Sequence, residues 1–254
     1  MPTPRIAFAG DRDVAVGALR HLVDQGVEPS ALLLPEAASH AGELRALCPS
    51  LGPDHVLIGS AFSESAGVEL LSGLDLDFIV CVHFPLIVPE AVLELPRHGA
   101  LNLHPAYLPW GRGWHTPSWT ILEGTPAGAT LHFMDAGVDS GDIVDQERLE
   151  TDPGDTAHTL YARLKDLELE VFKRAWPLLS DGDHERRPQP DGGSQHRRAD
   201  LLEDDVQRID PQAPTRATLE RLRALTTDRW EEAAFYESDG RRYRVRVEIR
   251  EDRG

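Results

Sequence analysis

Three polar side chains stand at the ends of two predicted buried strands, and their types suit the transfer of an acyl group to an amine. Asn102 can donate a hydrogen bond to a developing oxyanion, and His104 can accept the proton that the attacking amine releases. Asp139 follows after a helix-length gap and can orient the imidazole and stabilise its charge. Asn102 and His104 share one face of their strand because they are two residues apart.

The elements that must position these residues follow from an alternation of apolar runs with helix-patterned segments. This alternation predicts an α/β fold, with a mostly parallel sheet and helices on both faces. Ligands of such sheets bind beyond the carboxyl ends of the strands, where Asn102 and His104 fall. We predict strands at 5–10, 31–34, 57–58, 77–82, 100–104, 128–134 and 142–149, and helices at 13–24, 155–179 and 216–225.

The chain divides by composition into three predicted regions. Residues 1–180 form a catalytic domain, and the Pro/Gly-rich polar residues 181–204 form an exposed linker or loop. Residues 205–254 form a small helix and β-hairpin unit, in which Asp239-Gly240 indicates a type I′ turn. This unit is too small to bury a core alone, so it must pack on the main domain or on another subunit.

Two motifs resemble a known family. The run VHFPLIVPEAVLELPRHGALNLHPAYLPWGRG, followed by MDAGVDSGDIV, resembles the formyltransferases that use N10-formyltetrahydrofolate. That family includes methionyl-tRNA formyltransferase, glycinamide ribonucleotide formyltransferase and the amino-sugar N-formyltransferases. The resemblance is close over residues 76–160, looser from residue 4 and faint beyond 200, and it implies a Rossmann-like fold. The hallmark residues here are Asn102, His104, Pro105, Leu108, Pro109, Gly113, Asp139 and Gly141.

The resemblance implies that Asn102, His104 and Asp139 are catalytic and that N10-formyltetrahydrofolate is the co-substrate. The family forms its folate pocket from backbone and apolar side chains. For each apolar residue of this pocket, the alternative is plain packing in the core. Carried over, the pocket residues are Phe84, Leu86, Ile87, Val88, Asp135, Gly137 and Val138.

The chain departs from the family pattern in WGRGWHTPSW, which is rich in aromatic residues. Trp faces stack on nucleobases and sugar rings, so Trp110, Trp114 and His115 are the predicted contacts for a nucleotide-linked amino sugar. Trp119 is predicted to be core on the following helix. The chain is also close in length to the amino-sugar enzymes. A resemblance to methionyl-tRNA formyltransferase would require a larger C-terminal barrel with a basic face.

Three alternatives stay open at this point. The first is formylation of initiator methionyl-tRNA. The second is hydrolysis of formyltetrahydrofolate, where water replaces the amine. The third is a non-catalytic folate-binding or interaction protein that kept the fold. The intact Asn102, His104 and Asp139 argue against the third, since pure binding needs no proton acceptor.

The charge and hydropathy of the 254 residues bound the partners. A net charge of −17 disfavours a polyanion such as tRNA without excluding it, because salt would screen the repulsion. Lysine occurs only at Lys165 and Lys173, and this acid excess favours a salt-adapted, halophilic source. No apolar run approaches a membrane span and no signal-peptide pattern opens the chain, so we predict a cytoplasmic protein. A homodimer through the C-terminal unit is a further expectation.

Other candidate sites fail on spacing. No GxGxxG follows Gly10, which disfavours a dinucleotide site. Cys48 and Cys81 form no CxxC pair, and Cys81 is predicted to be core. No HxxxH or HExxH arrangement supports a metal site among the histidines considered for one, which are His83, His98, His104, His115 and His132.

Overall fold

The computed structural model describes residues 3–252 and contains a seven-stranded sheet. The strands in chain order are β1 (Ile6–Gly10), β2 (Ala31–Leu34), β3 (Val56–Ile58), β4 (Phe78–Val82), β5 (Gly99–His104), β6 (Arg112–Gly113), β7 (Ala127–Phe133), β8 (Ile143–Leu149), β9 (Gln195–His196), β10 (Ala234–Ser238) and β11 (Arg241–Val245). The main sheet has the order β3-β2-β1-β4-β5-β7-β8. Its first five strands pair in parallel and β5 pairs antiparallel with β7, which confirms the predicted mostly parallel sheet.

Eight helices connect and flank these strands over the described residues. They are α1 (Arg12–Asp24), α2 (Ala41–Ala46), α3 (Ser65–Gly73), α4 (Glu90–Leu93), α5 (Thr116–Glu123), α6 (Ala157–Ser180), α7 (Asp204–Gln207) and α8 (Thr215–Ala224). The predicted α1, α6 and α8 are confirmed. Helix α6 begins after Thr156, whose Oγ1 accepts a hydrogen bond from the backbone nitrogen of Thr159 at 3.3 Å.

Both faces of the sheet are covered by helices, as predicted. On one face, Ala7 and Ile79 belong to a buried cluster with Leu71 of α3 and Val92 of α4. On the other, the Phe78 ring contacts Trp176 of α6, with the ring centroids 6.1 Å apart. Because both faces of these strands are buried, successive residues along each strand are apolar, which explains the continuous apolar runs in the sequence. Burial of each large apolar side chain stabilises the fold by about 1.5–3 kcal/mol.

The chain forms two compact units. The first comprises residues up to His104, Thr130–Gln146 and Glu168–Gln189. The second comprises Pro105–Ala129, Glu147–Leu167 and the residues from Pro190 onward. The domain boundaries expected at residues 180 and 205 stay a prediction.

Within the second unit, the C-terminal residues pack on α5. A buried cluster of Leu201, Leu225 and Ala234 is flanked by Trp119 and by other partly buried apolar side chains. The C-terminal residues were expected to pack on the main domain or on another subunit. In the structure they pack on an earlier part of the same chain. Trp119 of α5, predicted to be core, is partly buried and packs against this cluster.

The C-terminal hairpin has the predicted turn. Strands β10 and β11 pair antiparallel, with Ser238 opposite Arg241. The two turn residues have left-handed backbones, with φ of 51° at Asp239 and 70° at Gly240. Positive φ at both central positions defines a type I′ turn.

The linker predicted at 181–204 is more ordered than its polar composition indicated. Its strand β9 pairs in parallel with β6, and Leu201 is fully buried. A Cβ at Gly113 would lie 2.2 Å from the carbonyl oxygen of His196, so only glycine permits this approach. Because the pairing uses backbone groups, side-chain composition did not reveal it.

Both cysteines lie in the protein interior. Burial raises the pKa of the Cys81 thiol to about 12 and that of Cys48 to about 11. Cys81 belongs to the buried apolar cluster, which confirms its predicted role as core. Over residues 3–252, no helix combines the length and apolar character that crossing a bilayer requires.

Candidate active site

Strand β5 presents two of the predicted catalytic residues on one face. Asn102 and His104 stand near its carboxyl end, where the sheet changes from parallel to antiparallel pairing. The register with β7 sets Asn102 opposite His132 and His104 opposite Thr130. The antiparallel neighbour therefore brings a second imidazole to the face that carries Asn102.

The loop between β7 and β8 supplies the carboxylate. Asp139 has a left-handed backbone with φ of 49°, a conformation that Asp tolerates better than most residues. A Cβ at Gly141 would lie 2.0 Å from the carbonyl oxygen of Phe133, so this turn requires glycine. These two local demands explain the Val-Asp-x-Gly pattern.

The carboxylate of Asp139 is the centre of the cluster. Asn102 Nδ2 donates to Asp139 Oδ1 at 3.1 Å. His104 Nε2 lies 3.6 Å from Asp139 Oδ2, and His132 Nε2 lies 3.6 Å from Oδ1. The side chains of His104, His132 and Asp139 are each at most 14% exposed. The structure thus brings together all three predicted catalytic residues.

His132 is a member of this cluster that the sequence indicated only as a metal candidate. Its Nδ1 lies 2.8 Å from the carbonyl oxygen of Phe133, and a carbonyl only accepts, so Nδ1 carries a proton. In the neutral ring, Nε2 is then an acceptor, and it faces Asn102 Nδ2 at 3.3 Å. Asn102 therefore directs its amide hydrogens at Asp139 and His132.

Gln189 supports the Asp139 loop and was not indicated by the sequence. Its Nε2 donates to the backbone oxygens of Asp139 and Gly141, each at 2.8 Å. The residue lies 50 positions after Asp139, within the segment predicted as a linker. No local pattern marks such a contact.

The residues expected to hold the folate divide by exposure. Val88 is buried in the core cluster, and Phe84 and Leu86 pack against it while partly exposed. Ile87 is 89% exposed and Val138 is 47% exposed. Asp135 Oδ1 accepts from the backbone nitrogen of Gly137 at 3.0 Å and from Ser140 Oγ at 2.7 Å, so these residues shape the loop itself.

The residues expected to meet the acceptor lie in the second unit. The indole of Trp110 is 37% exposed, and the Arg198 guanidinium stands over the Trp114 ring, 5.2 Å from its centroid. His115 turns inward, with Nδ1 3.7 Å from Glu232 Oε1. Burial lowers the pKa of His115, and Glu232 opposes that shift. Trp110 is thus more accessible than His115.

Among residues 3–252, no group of three or more His, Cys, Asp or Glu side chains is arranged to hold a metal ion. The cluster around Asp139 consists instead of a carboxylate, an amide and two imidazoles in mutual contact. These groups can donate a hydrogen bond, accept a proton and stabilise a cation. That combination suits acyl transfer.

Comparison with known proteins identifies the class. The model of the formyl transferase family matches residues 45–176, and that of the N-formyltransferase dimerization C-terminal domain matches residues 203–251. The chain therefore belongs to the formyl transferase family, as the sequence motifs indicated.

The names of individual relatives mention two kinds of formyl acceptor, methionyl-tRNA and sugars. A methionyl-tRNA formyltransferase of Geobacter sulfurreducens is 32% identical over 194 residues, which are 74% of this chain and 61% of the relative. This chain thus spans about three fifths of that relative's length. The structure of a sugar N-formyltransferase from Shewanella has a TM-score of 0.81 at 20% identity, over 97% of this chain and 98% of that one.

A third relative was solved with two small molecules. The formyltransferase PseJ of Anoxybacillus kamchatkensis, in complex with tetrahydrofolate and UDP-4,6-dideoxy-4-formamido-L-AltNAc, is 25% identical with a TM-score of 0.61. The match covers 85% of this chain and 98% of PseJ. These likenesses confirm the predicted fold.

Proposed function

We propose that this protein transfers the formyl group of N10-formyltetrahydrofolate to a primary amine. The observation that carries the proposal is the convergence of Asn102, His104 and His132 on the carboxylate of Asp139. Family membership supports it, as does the tetrahydrofolate bound by PseJ.

Asn102 is the proposed donor to the oxyanion. The amine attacks the formyl carbon, a new C–N bond forms, and negative charge develops on the formyl oxygen. Asn102 Nδ2 can donate to this oxygen once one of its present contacts is released. The contact to His132 is the longer of the two, at 3.3 Å against 3.1 Å to Asp139, so it is the one expected to yield.

His104 is the proposed carrier of the proton. It accepts the proton that the attacking nitrogen loses and returns it to N10 of the folate as the C–N10 bond breaks. Asp139 Oδ2, 3.6 Å from His104 Nε2, stabilises the imidazolium that exists between these two steps. The distance is that of an ion pair rather than a hydrogen bond, so we expect it to shorten when the ring becomes charged.

The acceptor that we propose is the amine of a nucleotide-linked amino sugar. Two indoles, at Trp110 and Trp114, follow His104 closely in the chain, and Arg198 adds a cation beside Trp114. Aromatic faces suit a base or a sugar ring, and a guanidinium suits phosphate oxygens. The sugar nucleotide bound by PseJ and the net charge of −17 support the same choice.

Initiator methionyl-tRNA is the second candidate acceptor. The observation in its favour is the 32% identity with a methionyl-tRNA formyltransferase over 194 residues.

The proposal further includes a homodimer through the C-terminal residues, because those residues match a dimerization domain. A cytoplasmic, salt-adapted protein remains part of the proposal.

The experiment that tests the proposal is a screen for thermal stabilisation and turnover. Stable 10-formylfolate tests binding. N10-formyltetrahydrofolate is the donor for turnover, supplied alone and with thymidine- and uridine-diphosphate amino sugars, with methionyl-tRNA as the competing acceptor, at low and high salt. We expect stabilisation by the folate and formylation of one sugar. Formylation of tRNA alone would replace the acceptor, release of formate without an acceptor would indicate hydrolysis, and absence of folate binding would overturn the proposal. His104→Ala controls for the chemistry.

A further inference from the structure

A buried contact between His83 and Glu168 at the end of β4 has no part in the proposed chemistry. His83 Nε2 lies 2.9 Å from both carboxylate oxygens of Glu168. The Glu168 side chain is fully buried and that of His83 is only 6% exposed. Both residues belong to the first unit.

Such a pair is better suited to fixing a position than to adding stability. Moving a carboxylate out of water is costly, and a buried pair often stabilises no more than apolar side chains of the same size. The two-oxygen contact does, however, fix the orientation of the imidazole. It also ties the end of β4 to α6.

The helix that carries Glu168 is a firm support. The neighbouring Leu169 packs where Gly17 of α1 leaves room, since a Cβ at Gly17 would lie 2.9 Å from its side chain. One turn further along α6, Phe172 is fully buried. A side chain bonded to Glu168 is therefore held to a closely packed part of the core.

The backbone at His83 adds a second constraint. Its φ of 51° is left-handed, a conformation that is uncommon outside glycine and that Asn, Asp and His adopt more often than other residues. Strand β4 ends at Val82, so the chain changes direction at the residue that Glu168 holds. The orientation of residues 84–88 is set at this point.

Residues 84–88 are the segment expected to line the folate pocket. Phe84 packs edge-on against Phe62, with the ring centroids 5.5 Å apart, whereas Ile87 is almost wholly exposed. We propose that His83 and Glu168 are positioning residues, which hold residues 84–88 in the conformation that binds the folate donor. This inference rests on the proposed function, since it assigns a purpose to that function's folate segment.

Three substitutions separate the parts of this contact. His83→Asn tolerates the left-handed backbone but is too short to reach Glu168. Glu168→Leu removes the partner, while Glu168→Gln keeps an oxygen that can accept from Nε2–H. Leu179→Ala is the matched control, because it weakens the same helix eleven residues after Glu168.

The first readout is the dissociation constant of 10-formylfolate. We expect His83→Asn and Glu168→Leu to raise it about tenfold, with Glu168→Gln closer to wild type and kcat at saturating donor within about twofold. Leu179→Ala should lower thermal stability and leave the constant unchanged. If Glu168→Leu fails to fold, the other two variants carry the test.

The second readout is amide hydrogen exchange at residues 84–88 in the full chain without ligand. We expect faster exchange at these residues in His83→Asn but not in Leu179→Ala. Unchanged exchange, or unchanged folate affinity, would overturn the inference while the proposed function stands. Wild-type protein that binds no folate would overturn the proposed function and this inference with it.

Discussion

Gln189 holds the backbone of Asp139 through its side-chain amide, which donates at 2.8 Å to the carbonyl oxygen of Asp139 and equally to that of Gly141. Asp139 itself is in a left-handed conformation, with φ of 49°. A single side chain thus fixes the turn that aims the carboxylate at Asn102, His104 and His132. The aim of this carboxylate depends on a residue outside both family motifs.

Replacement of Gln189 by Glu tests that dependence. The two side chains have nearly the same shape, but a carboxylate cannot donate and would face two carbonyl oxygens. We expect kcat to fall by about tenfold or more, because small displacements of catalytic groups are costly. Folate affinity should change little. The measurement is steady-state kinetics of Gln189→Glu. The exposed Gln212→Glu is the control for the added charge. A wild-type kcat in Gln189→Glu would contradict the role assigned to Gln189.

The proton carrier and its carboxylate can be tested directly. We expect His104→Ala and Asp139→Asn each to lower kcat on the order of a hundredfold or more, since each removes a group that acts in the transition state. Circular dichroism should show intact folding. Asp142→Asn, in the same loop, is the matched control. Wild-type rates in either catalytic variant would refute the mechanism.

The exposed face of the hairpin is the expected contact between two copies of the chain. Tyr236 and Tyr243 stack with their rings 5.4 Å apart, yet they are 46% and 42% exposed. A charge in this apolar surface would oppose its burial, so we expect Tyr236→Glu to shift the sedimenting species from dimer to monomer. Leu178→Glu, at an exposed position on α6, should leave the mass unchanged. A monomeric wild type would disprove the interface.

His184 should contribute to loss of stability in acid. Burial lowers the pKa of its imidazole from 6.5, and Arg186 and His98 lower it further. The unfolded chain therefore takes up this proton first as the pH falls, so the free energy of unfolding decreases below about pH 6.5. His184 lies against Phe78 and Phe133, so Phe can replace it.

The expected result for His184→Phe is a shallower decrease in the free energy of unfolding, measured by urea denaturation from about pH 8 to about pH 5. The variant should keep part of the slope, because burial also lowers the pKa of His21 and His115. Parallel pH profiles for the variant and the wild type would contradict the assignment.

Elements with a strong local signal were predictable from the sequence. Strand β4 is a five-residue apolar run, and the turn at Asp239-Gly240 depends only on the residues that form it. Asn102 and His104 were found for a similar reason, since two residues on one strand must share a face. Asp139 depended on the family motif.

Contacts between distant segments were not predictable. His132 meets Asn102 only because of the register between β5 and β7, which no local pattern specifies. Gln189 and Glu168 reach their partners across 50 and 85 positions. The short helices α2, α3, α4 and α7 were missed, because four to nine residues show little periodicity and such helices depend on tertiary packing.

The register between β5 and β7 restricts how the length of this chain can change over evolution. One residue inserted or deleted between Thr130 and Phe133 would turn His132 to the opposite face of the sheet and bring an apolar side chain against Asn102. Homologous chains are therefore expected to differ within this stretch by substitution alone. Their insertions and deletions should fall in the connections on either side.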